Sequence, residues 1–112
     1  MASLDVQQVL NDMLAAGETS AADKWPDIRD FAESEGKKLL ATAAQIESRH
    51  QGGGISDDEA GMLLELQANS ARTSIMAIEG MTALAAEAAV NAMVDVLRTA
   101  LNTLLGSAIK MI

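Results

Sequence analysis

The sequence predicts an all-α fold, and its residue balance and scarcity of helix breakers are the observations behind that prediction. Hydrophobic residues make up 49% of the 112-residue chain, aromatic residues only 2%, and there is a single Pro. Ala, Leu, Met, Glu and Lys favour helices, whereas strands favour β-branched and aromatic residues. No stretch alternates apolar and polar residues as a half-buried strand does. We therefore expect a helical hairpin or bundle that forms a single domain over residues 1–112.

Composition also narrows the function. The chain has no Cys, which excludes a disulfide framework, a thiolate metal site and a thiol nucleophile. Its formal net charge of -8 argues against a nucleic-acid partner, because phosphate binding needs clustered Lys and Arg. The N-terminal stretch "MASLDVQQVL" has no basic region followed by a long apolar one. We therefore expect no signal peptide and a cytoplasmic location.

A short N-terminal helix is the first predicted element. Ser3 can cap its start and Gly17 can end it. Its apolar residues are Leu4, Val6, Val9, Leu10, Met13 and Leu14. The polar stretch 17–27 that follows is predicted to connect it to the next helix.

A middle helix is expected over about residues 26–51. Pro26 suits the first turn of a helix, where the missing N–H would have no partner. The predicted apolar stripe of this helix consists of Ile28, Phe31, Ala32, Leu39, Ala43 and Ile46.

Three consecutive glycines at 52–54 predict a tight turn. Ser56 and Glu59 follow with the S-x-x-E spacing of a capping box, which indicates that a new helix begins there. A helical pattern then continues without Pro to about residue 105, and Gly80 marks a position where it could kink or break. The sequence thus predicts a long C-terminal helix over about 56–105.

The predicted helices differ in length. At about 1.5 Å per residue, the middle helix would be about 38 Å long and the C-terminal helix about 75 Å. Half of a straight C-terminal helix would then lack an antiparallel neighbour from the middle helix. An apolar half-helix bare in water is not stable. This mismatch favours a fold completed by oligomerisation.

The C-terminal segment has two apolar sides on a helical wheel of about 100° per residue. They are separated by a polar strip of Glu87, Asn91, Asp95, Arg98 and Asn102. One side, here called the bulky flank, consists of Ala86, Val90, Met93, Leu97, Leu101 and Leu104. The other, here called the small-residue seam, consists of Met81, Ala85, Ala88, Ala92, Val96 and Thr99, and the same spacing reaches Thr103. The spacing of the seam is close to the heptad of a coiled coil.

Three arrangements account for two apolar sides. Both could pack inside one compact three-helix monomer. Alternatively, the flank packs within the chain and the small-residue seam packs against another copy, because small side chains let helices approach closely. Third, residues 75–105 are long enough to span a bilayer, but each carboxylate there would cost about 2.5–3.5 kcal/mol. We favour the homo-oligomer, with membrane insertion the least favoured arrangement.

One pair of side chains has metal-ligand spacing. Glu47 and His50 form the Glu-x-x-His pattern that ferritin-like di-iron bundles use twice, and Glu35 or Glu65 could add carboxylates. A His in the last turn of a helix is more often placed there to interact with the exposed carbonyls and the helix dipole. We favour this second interpretation and expect no metal and no cofactor.

The functional expectation is a non-enzymatic, self-associating helical protein with a structural, adaptor or inhibitor role. A protein partner is compatible with its acidic surface. The alternatives are a ferritin-like carboxylate and His metal-binding bundle and, after it, a membrane-active helical oligomer.

Overall fold

The computed structural model describes residues 5–106, which form four α-helices joined by short connections. They are α1 (Val6–Ala21), α2 (Trp25–Gln51), α3 (Asp57–Met76) and α4 (Ala83–Leu105). A 3-10 turn, Ala22–Lys24, joins α1 to α2. No strand occurs between residues 5 and 106, and the all-α prediction is confirmed.

The helices form a bundle of dimensions 44 × 24 × 18 Å. Short connections place consecutive helices antiparallel. Both α1 and α3 pack against α2 and α4, which also contact each other. At 27 residues, or about 40 Å, α2 runs along most of the long axis.

The first helix is longer than predicted. Asp5 caps it, with its carboxylate accepting a hydrogen bond from the backbone N–H of Gln8 at 3.2 Å. The candidate cap Ser3 lies outside the described residues. The prediction that Gly17 ends this helix is wrong, because α1 continues to Ala21.

Gly17 instead serves close packing inside α1. It is buried, and a Cβ atom at this position would lie 3.2 Å from Cζ3 of Trp25 and 3.3 Å from Cγ of Met93. The missing side chain therefore makes room for an indole and a thioether between three helices. A glycine in a helical pattern is compatible with a helix end, but here tertiary packing requires it within the helix.

The middle helix agrees with its predicted bounds to within a residue. Five of its predicted stripe residues are buried: Ile28, Ala32, Leu39, Ala43 and Ile46. The sixth, Phe31, is 48% exposed. Phe31 lies about 100° around the helix from Ala32 in the centre of the stripe, and so it points away from the core.

The turn between α2 and α3 lies at residues 52–54, with Gly53 at a φ of 72°. The predicted capping box is present. Ser56 Oγ accepts from the N–H of Glu59 at 3.1 Å, and Glu59 Oε1 accepts from the N–H of Ser56 at 3.2 Å.

The long C-terminal helix predicted over 56–105 is in fact two helices, α3 and α4. The break includes Gly80, whose φ of 82° suits glycine, and it ends at Thr82, whose hydroxyl caps α4 by accepting from the N–H of Ala85. The chain therefore folds back on itself. At 20 and 23 residues, α3 and α4 are each shorter than α2, so the length mismatch that favoured oligomerisation does not exist.

Candidate interaction surface

The two apolar sides of α4 have different environments. Five residues of the bulky flank are buried and Leu104 is half-buried. No residue of the small-residue seam is fully buried: Met81, Ala85, Ala88, Ala92 and Val96 are half-buried, and Thr99 is exposed. The flank therefore completes the core of the chain, while the seam lies at its edge.

The C-terminal part of the seam lines an open groove between α1 and α4. The groove has a volume of about 480 Å³ and is formed by Val9, Asp12, Asp95, Val96, Thr99 and Ala100. Val96 and Ala100 also pack against the core. The C-terminal part of the seam thus lies beside α1, with an open groove between them.

Two carboxylates lie in this groove. Asp12 accepts a hydrogen bond from the side-chain amide of Gln8 at 3.0 Å. The side chain of Asp95 is 70% exposed and lies 3.6 Å from Arg98. The two carboxylates therefore place negative charge beside the apolar residues of the groove.

The candidate metal pair lies at the C-terminal end of α2. Glu47 and His50 are both half-buried. The ring nitrogen Nε2 of His50 lies 3.2 Å from Oδ1 of Asp57, on the other side of the glycine turn. The fold thus brings Asp57 to His50, a carboxylate that the Glu-x-x-His spacing does not indicate. This contact links the end of α2 to the start of α3.

The two additional carboxylates considered for a metal site have other partners. Glu35 lies 3.3 Å from Lys38, and Glu65 lies 3.0 Å from Arg72. Among residues 5–106, no group of three or more His, Cys, Asp or Glu side chains is arranged to hold a metal ion.

Arg72 is the centre of a polar network between α3 and α4. Its guanidinium donates to Glu65 at 3.0 Å, to Asn69 at 2.7 Å and to Asn91 at 2.6 Å. Sequence reasoning placed Asn91 on a solvated strip and did not foresee this link. A planar fork of donors suits such multiple contacts, and it fixes α3 against α4.

Glu35 is a charged residue in the apolar stripe of α2. It is 4% exposed, and its Oε2 has no hydrogen-bond partner. Its spacing from Ala32 and Leu39 matches the buried stripe, which is the sequence signal for this position. A carboxylate with one unpaired oxygen in a core costs stability.

The outward side of α3 displays large apolar side chains. Met62 is 53% exposed, Leu66 is 66% exposed and Met76 is 40% exposed. Sequence reasoning missed this surface because it treated α3 and α4 as one helix and analysed only the C-terminal half. The signal was present in the heptad-like spacing of Met62, Leu66, Asn69, Thr73 and Met76.

Comparisons with known proteins identify no relative. No protein-family model matches the chain, and neither the curated proteins nor the solved structures include a significant match. Within residues 5–106, every helix is too short or too polar to cross a lipid bilayer.

Proposed function

We propose that this protein is a non-enzymatic helical protein that self-associates through the small-residue seam of α4, in a structural or adaptor role. The contrast between the two sides of α4 supports this proposal. The bulky flank packs into the protein's own core, whereas Ala85, Ala88 and Ala92 remain partly accessible in a row along the helix. Small residues in such a row allow a second helix to approach closely.

A twofold contact centred near position 90 is compatible with the charges of α4. In an antiparallel pair, Ala88 of one copy would face Ala92 of the other, and Asp95 would face Ala85. The two Asp95 carboxylates would then be about ten residues, or about 15 Å, apart along the helix axes. That separation exceeds the screening length of about 8 Å at physiological ionic strength. The two Asp95 carboxylates therefore repel each other only weakly. Higher salt is expected to favour association, because it screens the repulsion between two copies that each carry a net charge of -8.

The test is the mass in solution of wild type and of the variant Ala88→Arg with Ala92→Glu. Light scattering coupled to size exclusion should give an oligomer for wild type and a monomer for the variant. Both substitutions place long charged side chains where close packing leaves little room, and overpacking typically costs about 1–3 kcal/mol at each site. A twofold contact carries every substitution twice.

A control is Ala41→Arg with Gln45→Glu, which introduces the same Arg and Glu at i and i+4 on the exposed side of α2. This variant should keep the mass of wild type, and circular dichroism should show full helix content for both variants. A wild type that is monomeric at micromolar concentration contradicts the proposal.

A further inference from the structure

The outward side of α3 has an apolar ridge that the fold does not use. Met62 and Leu66 are one helical turn apart and are 53% and 66% exposed. The helix packs through a different side, whose residues are fully buried. These are Ala60, Leu64, Ala68, Ala71 and Ile75. The exposed pair therefore lies outside the core and is available for contact with another molecule.

Shallow grooves run along both sides of this ridge, and Met62 and Leu66 line both. The groove towards α2 has a volume of about 260 Å³ and is also lined by Arg49, Gly54, Ile55, Glu59 and Leu63. The groove on the other side has a volume of about 360 Å³ and is also lined by Glu65 and Asn69. A ridge with a groove on each side is a surface onto which a helix can dock.

The charge around the ridge indicates what would dock. The first turn of α3, at one end of the ridge, carries Asp57, Asp58 and Glu59. Farther along, Glu65 is paired with Arg72. The end of the ridge near the first turn of α3 is therefore acidic, with Arg49 as the basic residue that lines a groove.

A second copy of the chain fits this surface poorly. No basic run occurs in the sequence that could meet the acidic first turn of α3. Like charges placed together at an interface are repulsive, whereas opposite charges guide and orient a partner. Charge complementarity thus selects a cationic occupant.

We propose that the outward side of α3 is a docking site for a cationic amphipathic helix of a partner protein. The apolar residues of that helix, spaced i, i+3, i+4 and i+7, would lie along Met62 and Leu66 and over Ile55 and Leu63. Its Lys or Arg side chains would reach Glu59 and the acidic first turn of α3. Met62 suits this role because its unbranched side chain adapts to different partners. The site is separate from the seam of α4.

The test uses two synthetic peptides of about 18 residues made of Leu and Lys, long enough for about five helical turns. One has the amphipathic spacing, and the other has the same composition with the Leu positions scrambled. Fluorescence anisotropy of each labelled peptide, titrated with the full-length protein, gives the affinity. The amphipathic peptide should bind at least about tenfold more tightly than the scrambled one, because only its Leu residues can contact the ridge together.

The decisive variant is Leu66→Glu, with Leu84→Glu as its matched control. Both leucines are largely exposed, at 66% and 78%, so both variants should keep the wild-type helix content. Each adds one negative charge, which by charge attraction alone would strengthen binding of a cationic peptide. On the α3 proposal, Leu66→Glu weakens binding about tenfold, since an apolar contact is lost, and Leu84→Glu does not.

Three results would overturn the proposal. The first is equal binding of the two peptides, which shows adsorption by charge alone. The second is unchanged or tighter binding by Leu66→Glu, which shows that the ridge is not the binding site. The third is a lower light-scattering mass for Leu66→Glu than for wild type in the absence of peptide, which shows that a second copy occupies this side. Only the last also bears on self-association, and it places the contact on α3 instead of α4.

Discussion

Helices α3 and α4 follow each other in the chain and have similar lengths, but α4 buries more bulky side chains. It buries Val90, Met93, Val94, Leu97 and Leu101, whereas α3 buries Leu64 and Ile75 and displays Met62 and Leu66. The difference follows from position in the bundle. Helix α4 contacts α1, α2 and α3, and α3 packs mainly against α2 and α4. A helix with three neighbours buries most of its bulky residues, with Leu84 near the start of α4 as the exposed exception, and a helix with two neighbours has a side left for other contacts.

The largest expected effect on stability comes from truncating a buried leucine of α4, compared with the same truncation of an exposed leucine of α3. Leu97→Ala should lower the free energy of unfolding by about 3 kcal/mol, because it removes a fully buried side chain and leaves a cavity. Leu66→Ala should change it by less than about 0.5 kcal/mol, because that side chain is 66% exposed. Urea denaturation followed by circular dichroism measures both. Similar losses for the two variants would mean that the outward side of α3 is covered in solution.

A second substitution tests α2, the helix against which both α3 and α4 pack. Glu35→Leu should raise the free energy of unfolding by about 1–2 kcal/mol, because a buried carboxylate is replaced by an apolar side chain of similar size. Lys38, whose side chain is 57% exposed, returns to solvent at little cost. Thermal unfolding measures the gain.

The matched control for Glu35→Leu is Glu33→Leu, two residues away and on the opposite side of α2. The Glu33 side chain is 44% exposed and pairs with Lys37 at the surface, where such pairs contribute about 0–1 kcal/mol. This variant should leave the free energy of unfolding nearly unchanged. A loss of stability in Glu35→Leu would show that the carboxylate makes a favourable interaction in the core.

The sequence indicates the helical class, the glycine turn and the capping box, because each depends on local chemistry. It predicts α2 to within a residue for the same reason. It does not predict that Gly17 lies inside a helix, because the indole and thioether that fill its missing side chain come from other helices. The groove between α1 and α4 and the contact between His50 and Asp57 also depend on how helices are placed together. Only tertiary structure supplies that information.

The break between α3 and α4 was the hardest feature to predict, because Gly80 is compatible with both a helix interior and a turn. A helix interior and a turn predict opposite changes in the free energy of unfolding for Gly80→Ala. In a continuous helix, Ala in place of Gly stabilises by about 1 kcal/mol. At the observed φ of 82°, the Cβ atom of Ala is strained, and the reduced entropy of the unfolded chain offsets only part of that cost.

Gly80→Ala should therefore lower the free energy of unfolding by about 1 kcal/mol, the smallest of these effects. Gly54→Ala, in the other turn, is the matched control. Its φ is not positive, and its added Cβ atom would meet only the carbonyl oxygen of Arg49 at an ordinary distance of 3.6 Å. It should be neutral or slightly stabilising in the same urea titration. A gain in stability for Gly80→Ala would mean that α3 and α4 are continuous in solution, and the unpartnered apolar length of a single helix would then again require a second chain to cover it.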